Sequence, residues 1–141
     1  MKRAEAETVR DAGVKKPVLL IGPVAPIQLA DLQRRDVMPM VYTPIGAELE
    51  RIAAASGRPV TIHVCVDTGI GRVGVSHGQA EALIRDLAGR TGVRIDGVMM
   101  TFTEDLEFDR EQLRRFEALT GRLRAGGVFI GDPEAAEIYT L

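Results

Sequence analysis

Val60-Thr61-Ile62-His63-Val64-Cys65-Val66-Asp67-Thr68-Gly69-Ile70-Gly71-Arg72-Val73-Gly74-Val75 is the stretch on which the reading of this chain turns. Its first half alternates β-branched apolar residues with others and predicts a strand over 60–66. Its second half is a glycine-rich turn, and a helical pattern starts near Ser76, a capping residue type. The same strand-to-helix unit repeats outward on both sides. Apolar β-rich runs at 18–21, 38–42, 93–102 and 128–130 predict further strands, and residues 3–12, 26–34, 45–56, 76–88 and 109–125 have helical period. Pro26 opens one helix, where its missing N–H costs nothing, and Gly13, Gly57, Gly89 and Gly126 close the others. The order is α β α β α β α β α β α. Such alternation, with near-continuous apolar strands, predicts an α/β fold with five parallel strands covered by helices.

Composition narrows the function classes. The 141 residues allow one domain, taken as 1–141, and fall short of a whole (β/α)8 barrel, which takes roughly 250. Eighteen Lys plus Arg against twenty Asp plus Glu leave a net charge of -2, which argues against a nucleic-acid binder. The single Cys65 excludes an internal disulfide or a cysteine-rich zinc module. No apolar run approaches the roughly 20 residues of a membrane span, and the charged N-terminus is unlike a signal peptide, so the expected location is the cytoplasm.

Within the decisive stretch, Gly69, Gly71 and Gly74 spell G-x-G-x-x-G, the spacing of a dinucleotide turn. However, Asp67 and Thr68 separate the glycines from the strand, and Arg72-Val73-Gly74-Val75 is a poor first helical turn. The alternative centres on Arg72. A permanent guanidinium held by glycines at a strand's carboxyl end suits a phenolate, phosphate or carboxylate, so anion or nucleotide binding through the 69–74 turn stays open. Period two places His63, Cys65 and Asp67 on one strand face. Neighbours at i and i+2 lie about 6.5–7 Å apart, too far to converge easily on one ion, so no metal site is expected. His77 is expected at the surface, the run 104–109 as a solvated loop leading into a capped helix, and Met38, Met40, Met99 and Met100 as core filler.

The segment 64–74 is similar to the V-K-V-D-T-G-M-G-R-L-G signature of the alanine racemases, a fold-type III pyridoxal-phosphate family. The likeness extends outward. Residues 11–13 and 17–22 resemble the family's R-E-A-G-I and P-I-L-V-L-G, residues 36–43 its D-V-x-P-T-V-Y-T, and residues 97–102 its G-V-M-T-H-F. Residues 112–119 match its next helix, and Ala135-Ala136 the end of its N-A-A-S-A-A-type segment. The resemblance implies a partial TIM-type barrel spanning strands three to seven of eight. It further implies pyridoxal 5′-phosphate as cofactor, with Arg72 donating to the cofactor's ring hydroxyl, and amino-acid racemisation as the family's chemistry.

The resemblance also marks departures. The family's Schiff-base lysine belongs to an A-V-V-K-A-N-A-Y-G-H-G segment and its basic tyrosine to a later one; neither has a counterpart in these residues. Lys2, Lys15 and Lys16 do not match that motif, so no catalytic residue is assigned. Cys65 stands where the family has a modified lysine, Thr101 where it has a histidine, and Pro133 and Glu134 where it has the asparagine and serine of the phosphate site. Pro133 lacks a backbone donor. A carboxylate about 4 Å from a phosphate costs roughly 4 kcal/mol at an effective dielectric near 20, so cofactor binding is expected to be weakened. The isolated chain is expected to be inactive, with two alternatives, a non-catalytic remnant or interaction module and an anion binder. Five strands leave open edges, so self-association or pairing with a complementing chain is expected.

Overall fold

The computed structural model describes residues 3–132. The elements follow as α1 (Arg3–Asp11), β1 (Val18–Leu20), α2 (Pro26–Arg34), β2 (Val37–Val41) and α3 (Gly46–Ser56), then β3 (Val60–Asp67), β4 (Val75–Ser76), α4 (His77–Ala88), β5 (Val93–Met99) and α5 (Leu106–Ala125). β1, β2, β3 and β5 lie side by side in chain order, all parallel, and β4 adds two residues beside the end of β3. The registers pair Val18 with Val37, Met40 with His63, and Ile62 with Ile95.

All the helices among the described residues cover one face. Val41, Val60, Ile62, Val64, Val66 and Ile95 join Leu49 and Ile52 of α3, Ile84 and Leu87 of α4, and Leu119 and Leu123 of α5 in one buried cluster. A second cluster seats α1 through Ala6 against Val18, Leu20, Leu32 and Val37. Each fully buried leucine or isoleucine contributes about 1.5–3 kcal/mol of transfer free energy, so this layer is the main stabilising term. The other face of the sheet presents Leu19, Met38, Thr61, His63 and Met99, each half-buried. Strands in sequential order with helices on one side form a singly wound sheet, which is the wall of a (β/α)8 barrel. A doubly wound sheet would carry helices on both faces.

α1 is tied to this wall by Arg10. Its guanidinium donates to the carbonyls of Arg35 at 3.0 Å, Val14 and Lys16 at 2.8 Å each, and Asp36 at 2.6 Å.

Two expected elements differ. Val128–Ile130 is no strand; the fifth strand is the two-residue β4. Gly131 does lie against β5, for a Cβ there would be 2.2 Å from the Asp96 carbonyl oxygen. Ladder pairing fails there because β5 is irregular at Asp96: Ile95 faces Ile62, but Gly97 faces His63. The helix expected at 109 begins instead at Leu106. Asp105 caps it, accepting from the Glu107 and Phe108 N–H groups at 3.1 and 2.9 Å. The second half of the acidic run is therefore the first turn of α5, where Glu107 and Asp109 complement the helix dipole. The helix expected after Ile130, Ala135-Ala136 and Lys2 lie outside the described residues.

Candidate functional site

The carboxyl ends of parallel strands are where barrel proteins place their chemistry, and β3 ends in the 67–74 turn. Three features shape this turn. Gly69, Gly71 and Gly74 all have positive φ, at 148°, 69° and 122°. Asp67 closes the turn by accepting the Gly69 N–H at 2.9 Å and the Gly71 N–H at 3.1 Å. Gly74 folds back on β3 so closely that a Cβ would sit 2.7 Å from the Asp67 nitrogen. This return lets Val75 and Ser76 pair with Val66 and Asp67 before α4 begins.

That geometry separates the turn from a dinucleotide fingerprint. A strand intervenes between the last glycine and the helix, so no helix N-terminus opens between the glycines. The two N–H groups that would cradle a phosphate already serve the Asp67 carboxylate. What the turn presents is Arg72. It is exposed and, among the described residues, takes part in no hydrogen bond or ion pair.

The three residues on the same strand face have separate partners. Cys65 is buried, with its Sγ 3.8 Å from the Val73 carbonyl oxygen. Burial pushes its thiol up to about 11, with Asp67 acting in the same sense and Arg72 against it. It is therefore a neutral thiol at neutral pH and a poor nucleophile. His63 lies against Gly97, where a Cβ would be 2.7 Å from the imidazole Cε1, and its Nε2 is 3.7 Å from Asp96 Oδ2. Burial lowers its pKa, and Asp96 opposes that. Asp67 is committed to the turn. Among the described residues no cluster of His, Cys, Asp and Glu converges on a point that could hold a metal ion. His77 is exposed at the first position of α4. Thr101 is half-buried, and its carbonyl accepts from Gln112 Nε2 at 3.1 Å. Pro133 and Glu134 lie outside the described residues.

Three residues not singled out from the sequence support the turn. Thr68 and Gln112 are fully buried and bonded, Gln112 Nε2 donating to Thr68 Oγ1 at 3.0 Å. Arg115 Nη1 donates to the Thr68 carbonyl at 2.8 Å. The available signal was Gln112 itself, a polar residue between Phe108 and Phe116 at i, i+4, i+8 on a helix face that continues to Leu119 and Leu123. Glu111 accepts from Arg114 and Arg115 at 2.8 Å each, which holds its carboxyl at about 2.

Residues 2–131 match the family model described as "Alanine racemase, N-terminal domain". The chain belongs to this family. It is 31% identical over 134 residues to the alanine racemase of Syntrophobacter fumaroxidans, covering 92% of this chain and 36% of that protein. To the alanine racemase of Sorangium cellulosum it is 33% identical over 136 residues, covering 88% and 35%. Alanine racemase from Clostridium difficile 630 superposes with a TM-score of 0.87 at 21% identity, over 92% of this chain and 38% of that one. A histidine racemase from Leuconostoc mesenteroides does so at 0.75 and 22%, over 84% and 34%. These likenesses establish the barrel-wall fold. The chain spans about a third of the length of the curated relatives it matches. No helix among the described residues is long and apolar enough to cross a membrane.

Proposed function

We propose that these residues form the middle wall of a pyridoxal-phosphate-dependent amino-acid racemase barrel, in which Arg72 holds the cofactor's ring hydroxyl. The observation that carries this reading is a guanidinium outside any hydrogen bond or ion pair among the described residues at the carboxyl end of β3, presented by a turn in which Asp67 already takes the Gly69 and Gly71 N–H groups. Its five donors suit a phenolate oxygen. When bound, the cofactor supplies an electron sink that acidifies the α-proton of an amino acid. The chain's own part is to anchor and orient. Cys65, buried as a neutral thiol, donates weakly at most and brings no charge to fix Arg72, as the family's modified lysine does. The lysine and tyrosine that move the proton in the family come from outside these residues, in flanking sequence or in a second chain.

Titration of the purified chain with pyridoxal 5′-phosphate tests this. Saturable binding weakened about tenfold by Arg72→Ala is expected, the loss of one charge-assisted hydrogen bond. Equal affinity in the variant overturns the assignment. Racemisation of alanine by the 141 residues alone would overturn the placement of the proton-moving groups elsewhere.

The proposal extends to partners. β1 and β5 end the ladder, and the sheet's inner face has no helix against it among the described residues. Pairing of these edges, with a second copy or with the complementing β/α units, gives concentration-dependent sedimentation at micromolar protein. A constant monomer mass argues against it.

A further inference from the structure

The geometry points to Gln112 and Arg115 as positioning residues that clamp the turn presenting Arg72 from helix α5. What the turn holds rests on the function proposed above; that it is clamped does not. Phe108, Glu111, Gln112 and Arg115 recur at three-to-four spacing and so share one face of α5. That face meets the end of β3 at two consecutive residues. At Gly69 the Phe108 ring packs so closely that a Cβ would lie 2.5 Å from its Cζ. At Thr68 both the side chain and the backbone are held. Gln112 Nε2 donates to the hydroxyl at 3.0 Å, the hydroxyl reaches Met100 Sδ at 3.3 Å, and Arg115 donates to the carbonyl at 2.8 Å.

The clamp joins two strand ends. Gln112 also donates to the Thr101 carbonyl at 3.1 Å and accepts from the Thr103 N–H at 3.1 Å. One buried amide thus ties the residue after β3 to the segment after β5. Arg115 is preset by Glu111 at 2.8 Å and by the Phe108 ring, whose centroid is 5.6 Å from its guanidinium carbon. Beyond this base the turn is lightly held. Gly71 has nothing within 4 Å of its Cβ position, and Arg72 is exposed. The order of its first half, 68–71, therefore depends on Asp67 within it and on α5 beneath it, while Gly74 and β4 hold the return.

Amide hydrogen exchange on the 141-residue chain, without ligand, tests the clamp. The Gly69 and Gly71 N–H groups, both bonded to Asp67, report opening of the turn. Arg115→Ala should raise their exchange about tenfold while Ile62 and Val64 of β3 keep their protection, and Arg115→Lys should restore most of it. Gln112→Glu adds an arm that packing alone does not move. Its neutral acid retains one O–H donor and its carboxylate has none, so protection of Gly69 and Gly71 should fall as pH rises. Unchanged protection of Gly69 and Gly71 in both Arg115→Ala and Gln112→Glu overturns the proposal. So does a rise matched at Ile62 and Val64, which makes α5 a general stabiliser. Because this assay contains no pyridoxal phosphate, its failure leaves the Arg72 assignment standing. An unaltered cofactor affinity in Arg72→Ala does the reverse.

Discussion

Replacing Gly74 by alanine is expected to be among the most damaging single-methyl changes in the molecule. Gly74 has φ of 122°, and its Cβ position lies 2.7 Å from the Asp67 nitrogen, 2.9 Å from the Val66 carbonyl carbon and 3.2 Å from the Cys65 oxygen. All three atoms are backbone of β3, fixed by pairing to β4 and β5, so the strand cannot retreat without breaking ladder bonds. The positive φ costs about 1–3 kcal/mol for a residue with a Cβ. Overpacking against fixed atoms adds about 1–3 kcal/mol, so the total loss is about 2–6 kcal/mol. Gly71 separates the two terms. Its φ is 69° with nothing within 4 Å, so Gly71→Ala should lose only the conformational part, about 1–2 kcal/mol. Gly121, inside α5 with open space around it, should gain about 0.5–1 kcal/mol as alanine. Urea unfolding measures all three, and an unchanged m-value keeps the comparison valid. Gly74→Ala within about 0.5 kcal/mol of Gly71→Ala would refute the close return of the turn onto β3.

His63 makes stability depend on pH. Burial holds its pKa below 6.5 in the fold, so its contribution is complete above that value and is lost as pH falls through 6.5 toward the folded pKa. His63→Gln should flatten that slope in urea midpoints taken on either side, and an unchanged slope counts against it. Cys65, raised from 9.0 to about 11, should react with a thiol reagent at least roughly a hundredfold slower than in urea. Equal rates would mean that the thiol is not buried. Arg10→Lys should cost at least about 2 kcal/mol, since one ammonium cannot serve four carbonyls on two segments. A thermal midpoint unmoved by that change contradicts the clasp. Leu123→Ala, at a fully buried site in α5, should cost about 2–5 kcal/mol by the same unfolding assay.

Much of this was legible in the residues because it depends on local periodicity. The alternation in 60–66 does put Ile62 and Val64 under the helices and His63 and Cys65 on the other side. The glycines at 69, 71 and 74 were readable as a turn, and all three adopt the conformations that side chains resist. The failures are also local. The apolar run at 128–130 looks like a strand, but strand formation needs a regular partner, and β5 is irregular at Asp96 opposite Gly131. The acidic run at 104–109 reads as a loop leading into a capped helix, but Asp105 sets the cap inside the run, so its second half is already helix, a boundary that side-chain geometry and not period decides.

By itself, the sequence determined the alternation of strands and helices, the position of the glycine turn, and, through its motifs, the family to which the chain belongs. Those depend on periods of two and 3.6 and on which residues tolerate positive φ, and both are properties of short segments. Alternation by itself does not say on which side each helix crosses. Only the tertiary structure decided that all the described helices cover one face, which makes the sheet a barrel wall. It also decided that Gln112 and Arg115 reach back more than forty residues to Thr68, and that Asp67 consumes the N–H groups a phosphate would need. Each depends on contacts between segments distant along the chain, and such contacts exist only once the sheet has brought the ends of β3 and β5 together.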